Sequence, residues 1–249
     1  MFSPDIILPH VEPNGKRIRA TRGHHTVVDT ADSRYVWEHR YWPSWFFPLD
    51  ALGAELKPSA HPERRRGERR GVVHHDLVVG DDVLEGAART YPDEAELAGL
   101  VAVDWSAVDH WYEEEVEAYV HPRSPYVRID ALPSSRHVVV RVDGEVIADT
   151  TRSTILYETG LPARYYIPAD DVRTDLLTPT ESRTGCPYKG FARYWSVTTE
   201  SGIHEDLAWA YDEPLPESAG VQGLICFYNE RVDLEVDGAS DARPHTKFS

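Results

Sequence analysis

Short apolar stretches broken by Gly, Pro, Asn and Asp recur along the whole chain. That pattern predicts strands and turns, because no segment sustains a 3.6-residue apolar period for long. The second half is the more legible. Residues 136–142 and 145–149 flank Asp143-Gly144, a dipeptide that predicts a two-residue type I′ hairpin. Strands are expected at 153–158, 163–167, 191–199, 206–211 and 223–236, the last turning near Asn229-Glu230. A short helix is expected only at 95–100.

The apolar register also repeats. Residues 16–52 lie over 136–172 without a gap, at an offset of 120. Asp29, Thr30, Ser33, Glu38, Pro48 and Asp50 meet identical residues at Asp149, Thr150, Ser153, Glu158, Pro168 and Asp170. The apolar positions Val27, Val28, Tyr35, Val36 and Trp37 meet Ile147, Ala148, Ile155, Leu156 and Tyr157. Further on, 71–78 align with 190–197, and 99–109 with 223–233. A half-chain period means duplicated domains, not a solenoid of short units. The expected organisation is a first copy over 1–117, a Pro-rich linker over 118–135 containing Pro122, Pro125 and Pro133, and a second copy over 136–249. The fold class follows: mainly β, two tandem small antiparallel domains.

Composition narrows the function. With 249 residues and 41% hydrophobic content, each half can bury a core. The formal net charge of −16 repels phosphate backbones and anionic bilayers, so a small-molecule ligand is the expected partner, not nucleic acid or membrane. Two cysteines, Cys186 and Cys226, make neither a disulfide framework nor an all-thiolate zinc site, which fits a reducing, cytoplasmic setting. The N-terminus has no basic segment before an apolar run, and no stretch is long enough for a transmembrane helix. No cofactor motif is present.

The segments Tyr165-Tyr-Ile-Pro-Ala-Asp-Asp-Val172, Thr184-Gly-Cys-Pro-Tyr-Lys-Gly190 and Arg193-Tyr-Trp-Ser196 resemble the family called domain of unknown function 427. Ser124-Pro-Tyr-Val-Arg-Ile-Asp130 and Ser134-Ser-Arg-His137 look like the lead-in of its two-copy members. The resemblance covers 124–238 closely and the first copy more weakly. It implies a β-tent-like fold, similar in topology to methionine sulfoxide reductase B. The paired Cys-x-x-Cys motifs that hold zinc in some β-tent proteins are missing, so structural zinc is not implied. The family also carries a nucleotidyltransferase label. This chain has neither a Gly-Ser pair followed by spaced aspartates nor a phosphate-cradling glycine loop.

The Cys-Pro-x-Lys-Gly run gathers the sharpest candidates. Cys186 has Arg183 three residues before it and Lys189 three after, and nearby cations favour the reactive thiolate. The alternative is a small buried hydrophobe. Lys189 can serve as a cation for an anionic ligand or as an amine. Glu158 can hold such a cation or handle a proton, although Glu38 in the first copy points to a shared structural role. Arg152, Tyr166, Tyr194, Tyr188 and Asp170 are the candidate substrate-binding residues. Strand alternation puts Tyr165 and Tyr166 on opposite faces, and likewise Tyr194 and Trp195, so one of each pair packs the core.

In the first copy the aligned residues are Gly67 for Cys186, Arg70 for Lys189, Arg69 for Tyr188, Trp45 for Tyr165, Phe46 for Tyr166 and Asp32 for Arg152. That loss of chemistry predicts a degenerate copy with a scaffold, lid or partner role. Its 64–70 run reads as a solvated basic loop or, less simply, as an anion grip. The pairs His24-His25 and His74-His75 each offer at most one inward ligand, and no metal is expected. Two functions are weighed: an enzyme acting on a small polar or anionic metabolite in the second copy, and a non-catalytic binding protein using the same pocket.

Overall fold

The computed structural model describes residues 7–60, 64, 65 and 67–246. The extreme N-terminus read above for a leader, and Arg66 of the basic run, lie outside them. The chain divides into two compact units at Ser124/Pro125.

The first unit begins with β1 (His10–Pro13), β2 (Ile18–Arg22), β3 (His25–Thr30), β4 (Arg34–Trp37), β5 (Ser44–Pro48) and β6 (Glu55–Pro58). It continues with β7 (Val73–Val79), β8 (Asp82–Thr90), β9 (Leu100–Val103), β10 (His110–Glu113) and β11 (Val116–Ala118). The second unit begins with β12 (Ile129–Pro133), β13 (Val138–Val142), β14 (Glu145–Thr150), β15 (Thr154–Glu158), β16 (Arg164–Ile167) and β17 (Leu177–Cys186). Then follow β18 (Gly190–Thr199), β19 (Gly202–Tyr211), β20 (Ile225–Phe227), β21 (Asp233–Val236) and β22 (Ala239–Asp241).

Each unit pairs a seven-stranded sheet with a four-stranded one. The large sheets run β1-β4-β5-β9-β8-β7-β6 and β12-β15-β16-β20-β19-β18-β17. The small ones run β11-β10-β2-β3 and β14-β13-β21-β22. Among the described residues every strand of the first unit has its counterpart eleven strands later, in the same place, so the sequence repeat is a duplication of topology.

The main core of each unit lies between its two sheets. In the second unit Val138, Val140 and Ile147 of the small sheet meet Ile155, Tyr165, Trp195 and Val197 of the large one. The first-unit core is built alike around Ile18, Val27, Tyr35, Phe47, Leu77 and Trp111. A second apolar layer covers the other face of each large sheet, with Leu156, Tyr166, Tyr194, Trp209 and Tyr211 in the second unit. Tyr165 and Tyr166 therefore part to opposite faces, as do Trp195 and Tyr194, in keeping with the two-residue period of a strand.

Asp143 and Gly144 both have positive φ, 51° and 84°, as the predicted type I′ turn requires. Other expectations need correction. The expected linker contains β12, which pairs along β15, with Pro133 at the strand's end on the sheet edge, where a missing N–H costs no ladder bond. Residues 95–100 form turns bonded back to Glu94 and then enter β9, not a helix. The stretch expected at 223–236 does turn at Asn229-Glu230, but its two arms, β20 and β21, lie in different sheets.

At β7 the expected alignment of 71–78 with 190–197 is one residue out. His74 pairs with Arg89 as Tyr194 pairs with Trp209, so the offset stays 120 and Tyr194 answers to His74. A one-residue shift exchanges the two faces of a strand. Gly67 and Arg70 accordingly have no structural claim on the places of Cys186 and Lys189. The β17–β18 hairpin closes at Cys186 and Gly190, whereas β6 and β7 part at Pro58 and His75, well short of a tight hairpin.

Candidate active site on the outer face of the second large sheet

The hairpin that carries the motif is fixed by its sequence. Pro187 pre-sets the φ needed at the first corner of a type I turn, and the Lys189 N–H closes it onto the Cys186 carbonyl at 3.3 Å. Gly190 then takes φ +92°, and an added Cβ would stand 3.1 Å from the Glu213 carbonyl oxygen. Replacing Gly190 with Ala is expected to cost about 1–2 kcal/mol of stability, read as a lower urea midpoint. Two further bonds tie the turn to the 212–224 connection: Leu215 N–H to the Lys189 carbonyl (3.2 Å) and Ser218 Oγ to the Tyr188 carbonyl (3.0 Å). Tyr188 is buried there, its carbonyl held by Ser218.

Lys189 reaches from this turn to Glu158, and the two form an ion pair with both side chains only 11% exposed. Their meeting is not evident from strand order. A row of paired residues runs Thr154, Tyr166, Cys226, Trp209, Tyr194 across the sheet. Glu158 lies beyond one side of that row, on the order of 13 Å along β15, and Lys189 beyond the other side below β18. In a flat sheet these corners would be far apart. Twist of roughly 20–25° per strand, accumulated over the four steps from β15 to β18, swings diagonal corners toward the same face.

Burial works against the Lys189 ammonium, but the fields of Cys186 and Glu158 and hydrogen bonds to both more than offset it, so its pKa is held above the ordinary lysine range. At neutral pH the side chain is a cation, not a free amine. Tyr211 belongs to the same cluster: burial, then the fields of Cys186, Tyr194 and Glu158, push its phenol far above the usual tyrosine range. The thiol, the ammonium and the carboxylate thus come from the end of β17, the turn and the end of β15, over a floor of buried aromatics.

Beside this chain lies a cleft of about 370 Å³ lined by Ser182, Arg183, Thr184, Tyr194, Asp206, Tyr228 and Arg231. Ser182, Thr184 and Cys186 are alternate residues of β17, so the thiol is the next side chain on that face, about 7 Å beyond Thr184. Thr184 Oγ1 and Tyr194 Oη are 2.7 Å apart. Arg183 donates to the carbonyls of Thr180 and Ser182, and Arg231 to that of Glu205. Among the described residues neither guanidinium has a carboxylate within ion-pair distance. Asp206 spends its two oxygens on Thr180 (2.6 Å) and Ser182 (2.5 Å), bonds that hold its carboxyl below the usual range. Two arginines against one engaged aspartate leave the cleft locally positive on an acidic protein.

Other expected site residues are elsewhere. Arg152 sits before β15, at the opposite end from Glu158, forking onto Asp171 at 2.9 Å twice with Asp170 at 3.8 Å. This exposed cluster fastens the turn after β16 to β14, with Thr150 also bonded to Asp171. Arg152 and Asp170 therefore belong to a structural clasp, because six extended residues separate Arg152 from Glu158, roughly 20 Å. Tyr166 is 1% exposed, its hydroxyl accepting from Trp209 Nε1 at 3.2 Å, and it packs the floor without meeting solvent. Of the five expected binding residues, only Tyr194 lines the cleft. Arg231, Tyr228 and Tyr211 were missed; Arg183 had been noticed only as a neighbour of the thiol.

The first unit shows what this face looks like without the hairpin. Glu38 accepts from Arg89 Nε and Nη2 (3.1 and 2.6 Å), Tyr91 Oη (2.5 Å) and Ser44 Oγ (3.0 Å). The equivalent places of Ser44, Arg89 and Asp104 are Arg164, Trp209 and Tyr228. In the second unit the arginine has moved to β16 and turns to Glu230, at 2.7 Å twice, which leaves Glu158 to Lys189. In the basic run Arg64, Arg65 and Arg70 are exposed as expected, while Arg65 pairs with Asp104, Arg69 with Glu94, and Arg64 bonds the Glu68 carbonyl. His74 and His75 diverge, the first to Glu68 and the second to Thr90, while His25 is exposed at the start of β3.

Fold and site together define a duplicated antiparallel β protein with unlike copies, the second carrying a thiol, an ammonium and a carboxylate on one sheet face. The chain belongs to the family described as a domain of unknown function (DUF427), which matches it twice, over residues 10–114 and 130–238. Both halves are thus members. No curated protein matches the chain.

Proposed function

We infer that the second unit is an enzyme acting on a small anionic metabolite, with Cys186 as the reactive group. In this reading Arg183 and Arg231 hold the anionic part of the molecule, and the hydroxyls of Thr184, Tyr194 and Tyr228 orient it. Lys189 steadies the Cys186 thiolate by fixed positive charge, and Glu158 holds Lys189 in place. The observation that supports the reading is the buried Lys189–Glu158 ion pair at the turn that starts from Cys186, next along the same strand face from a cleft whose two arginines have no carboxylate within ion-pair distance among the described residues. Lys189 is a cation supporting the thiol and not an amine nucleophile, because its proton is held.

Inorganic phosphate is the simplest probe of the anion subsite. Phosphate is expected to slow iodoacetamide modification of Cys186 saturably, and Arg231→Gln to remove most of that protection. Modification indifferent to phosphate, in a protein that also shows no phosphate binding by calorimetry, ends the proposed subsite. Saturable phosphate binding that leaves Cys186 labelling unchanged favours a non-catalytic binding protein over the enzyme.

A further inference from the structure

We propose that the first unit, read from sequence as a degenerate copy, has a ligand site of its own, which takes an uncharged planar nitrogen heterocycle of nucleobase type. A cleft of about 280 Å³ opens on this unit, close to the lower end of the roughly 300–1,000 Å³ range of small-molecule sites. Trp42, Trp45 and Trp105 contribute its aromatic walls. Trp42 stands at the rim, 41% exposed, and is held upright by His121 stacked on one face (5.1 Å, 20°) and His39 edge-on at 4.7 Å. Trp105 is backed by Trp111, stacked at 5.3 Å and 20°. An indole supported in this way loses little freedom when a flat ring settles against it.

Charge decides the class of ligand. Five ionised side chains line the cleft, yet each is engaged by the protein itself. Glu38 takes Arg89, Tyr91 and Ser44, while Asp104 bridges Arg89 at 3.0 Å and Arg65. Glu68 takes His74 and the Arg65 backbone N–H. Among the described residues both arginines of the cleft are paired with carboxylates, so neither offers an unpaired cation to a phosphate or carboxylate group. The carboxylates, consumed by arginines, offer little to an ammonium. What remains is aromatic surface beside a polar edge at Ser44, Asp104 and Arg65, which suits a ring that stacks through its face and hydrogen-bonds through N–H and C=O groups. The described residues of the second unit form no such wall: Asn229 and Tyr228 stand where Trp105 and Asp104 stand here, and the β17–β18 hairpin takes the place of the connection that carries Arg65 and Glu68.

The test uses the full chain, with uracil and adenine as probes, followed by tryptophan fluorescence and calorimetry. At least one is expected to bind saturably at one site per chain, at millimolar concentration or below. Trp42→Ala is expected to weaken that binding about tenfold, the scale of one lost base–aromatic stack. Trp105→Leu checks a second lining indole independently. Cys186→Ser is expected to leave the affinity unchanged, so this site and the second-unit reading fail separately. The proposal is overturned if neither base binds saturably, if choline binds as well as the bases, or if both tryptophan variants bind like the parent.

Discussion

Arg164→Met is expected to destabilise the second unit by about 3–5 kcal/mol, the scale seen when one partner of a buried ion pair is removed. Arg164 and Glu230 are 8% and 0% exposed in their side chains and are joined by two bonds of 2.7 Å. Arg164 also lies over the rings of Trp209 and Tyr228, at 5.7 and 5.9 Å. Methionine keeps most of that packing but strands the carboxylate. The double variant Arg164→Met/Glu230→Leu is expected to recover most of the loss, because it removes the unpaired charge along with its partner.

The pH dependence gives the sign. Burial raises the Glu230 pKa, but bonds from Arg164 and Thr246 lower it by more, so the folded value lies below the ordinary glutamate range. A carboxylate depressed on folding contributes its stability fully above its unfolded value, and loses it as pH falls through the folded value. The deficit of Arg164→Met is therefore largest at neutral pH and shrinks in acid, where the stranded carboxyl takes up a proton. Urea midpoints near neutrality and at about pH 4 check this. A deficit independent of pH would mean that lost packing, not charge, dominates. Glu38 follows the same rule in the first unit, its pKa raised by burial and lowered further by Arg89, Tyr91 and Ser44.

The sequence pattern reached the duplication and most inner strands because these are short, largely buried apolar runs bounded by turn residues. Val138–Val142 and Thr154–Glu158 are examples. It failed where burial does not impose a period. β17, Leu-Thr-Pro-Thr-Glu-Ser-Arg-Thr-Gly-Cys, is an edge strand with no fully buried residue, so nothing in its composition signals a strand. That strand carries Ser182, Thr184 and Cys186, so the direction of the cleft was lost with it. Glu158 and Lys189 were chosen for their chemistry, but only sheet twist brings them together. Arg152, chosen as a binding residue, stands at the end of β15 opposite Glu158.

Cys186 is expected to react with iodoacetamide in the native protein at least about a hundredfold faster than Cys226. Cys226 is fully buried, and burial pushes its thiol up to about 12, so it reacts only when the sheet opens. Burial alone would also protect Cys226 beside an ordinary surface cysteine, so the informative arm is Lys189→Met. Removing the ammonium takes away the positive charge proposed to support Cys186, and labelling is expected to slow about tenfold at neutral pH. Glu158→Gln should act in the opposite direction or not at all, since it frees the Lys189 charge from its carboxylate without removing it. Mass spectrometry of the two cysteine peptides separates these cases. A Lys189→Met protein that stays folded by circular dichroism and labels at the parent rate would leave the ammonium with no role at the thiol, and Cys186 would be one more half-buried side chain at a hairpin.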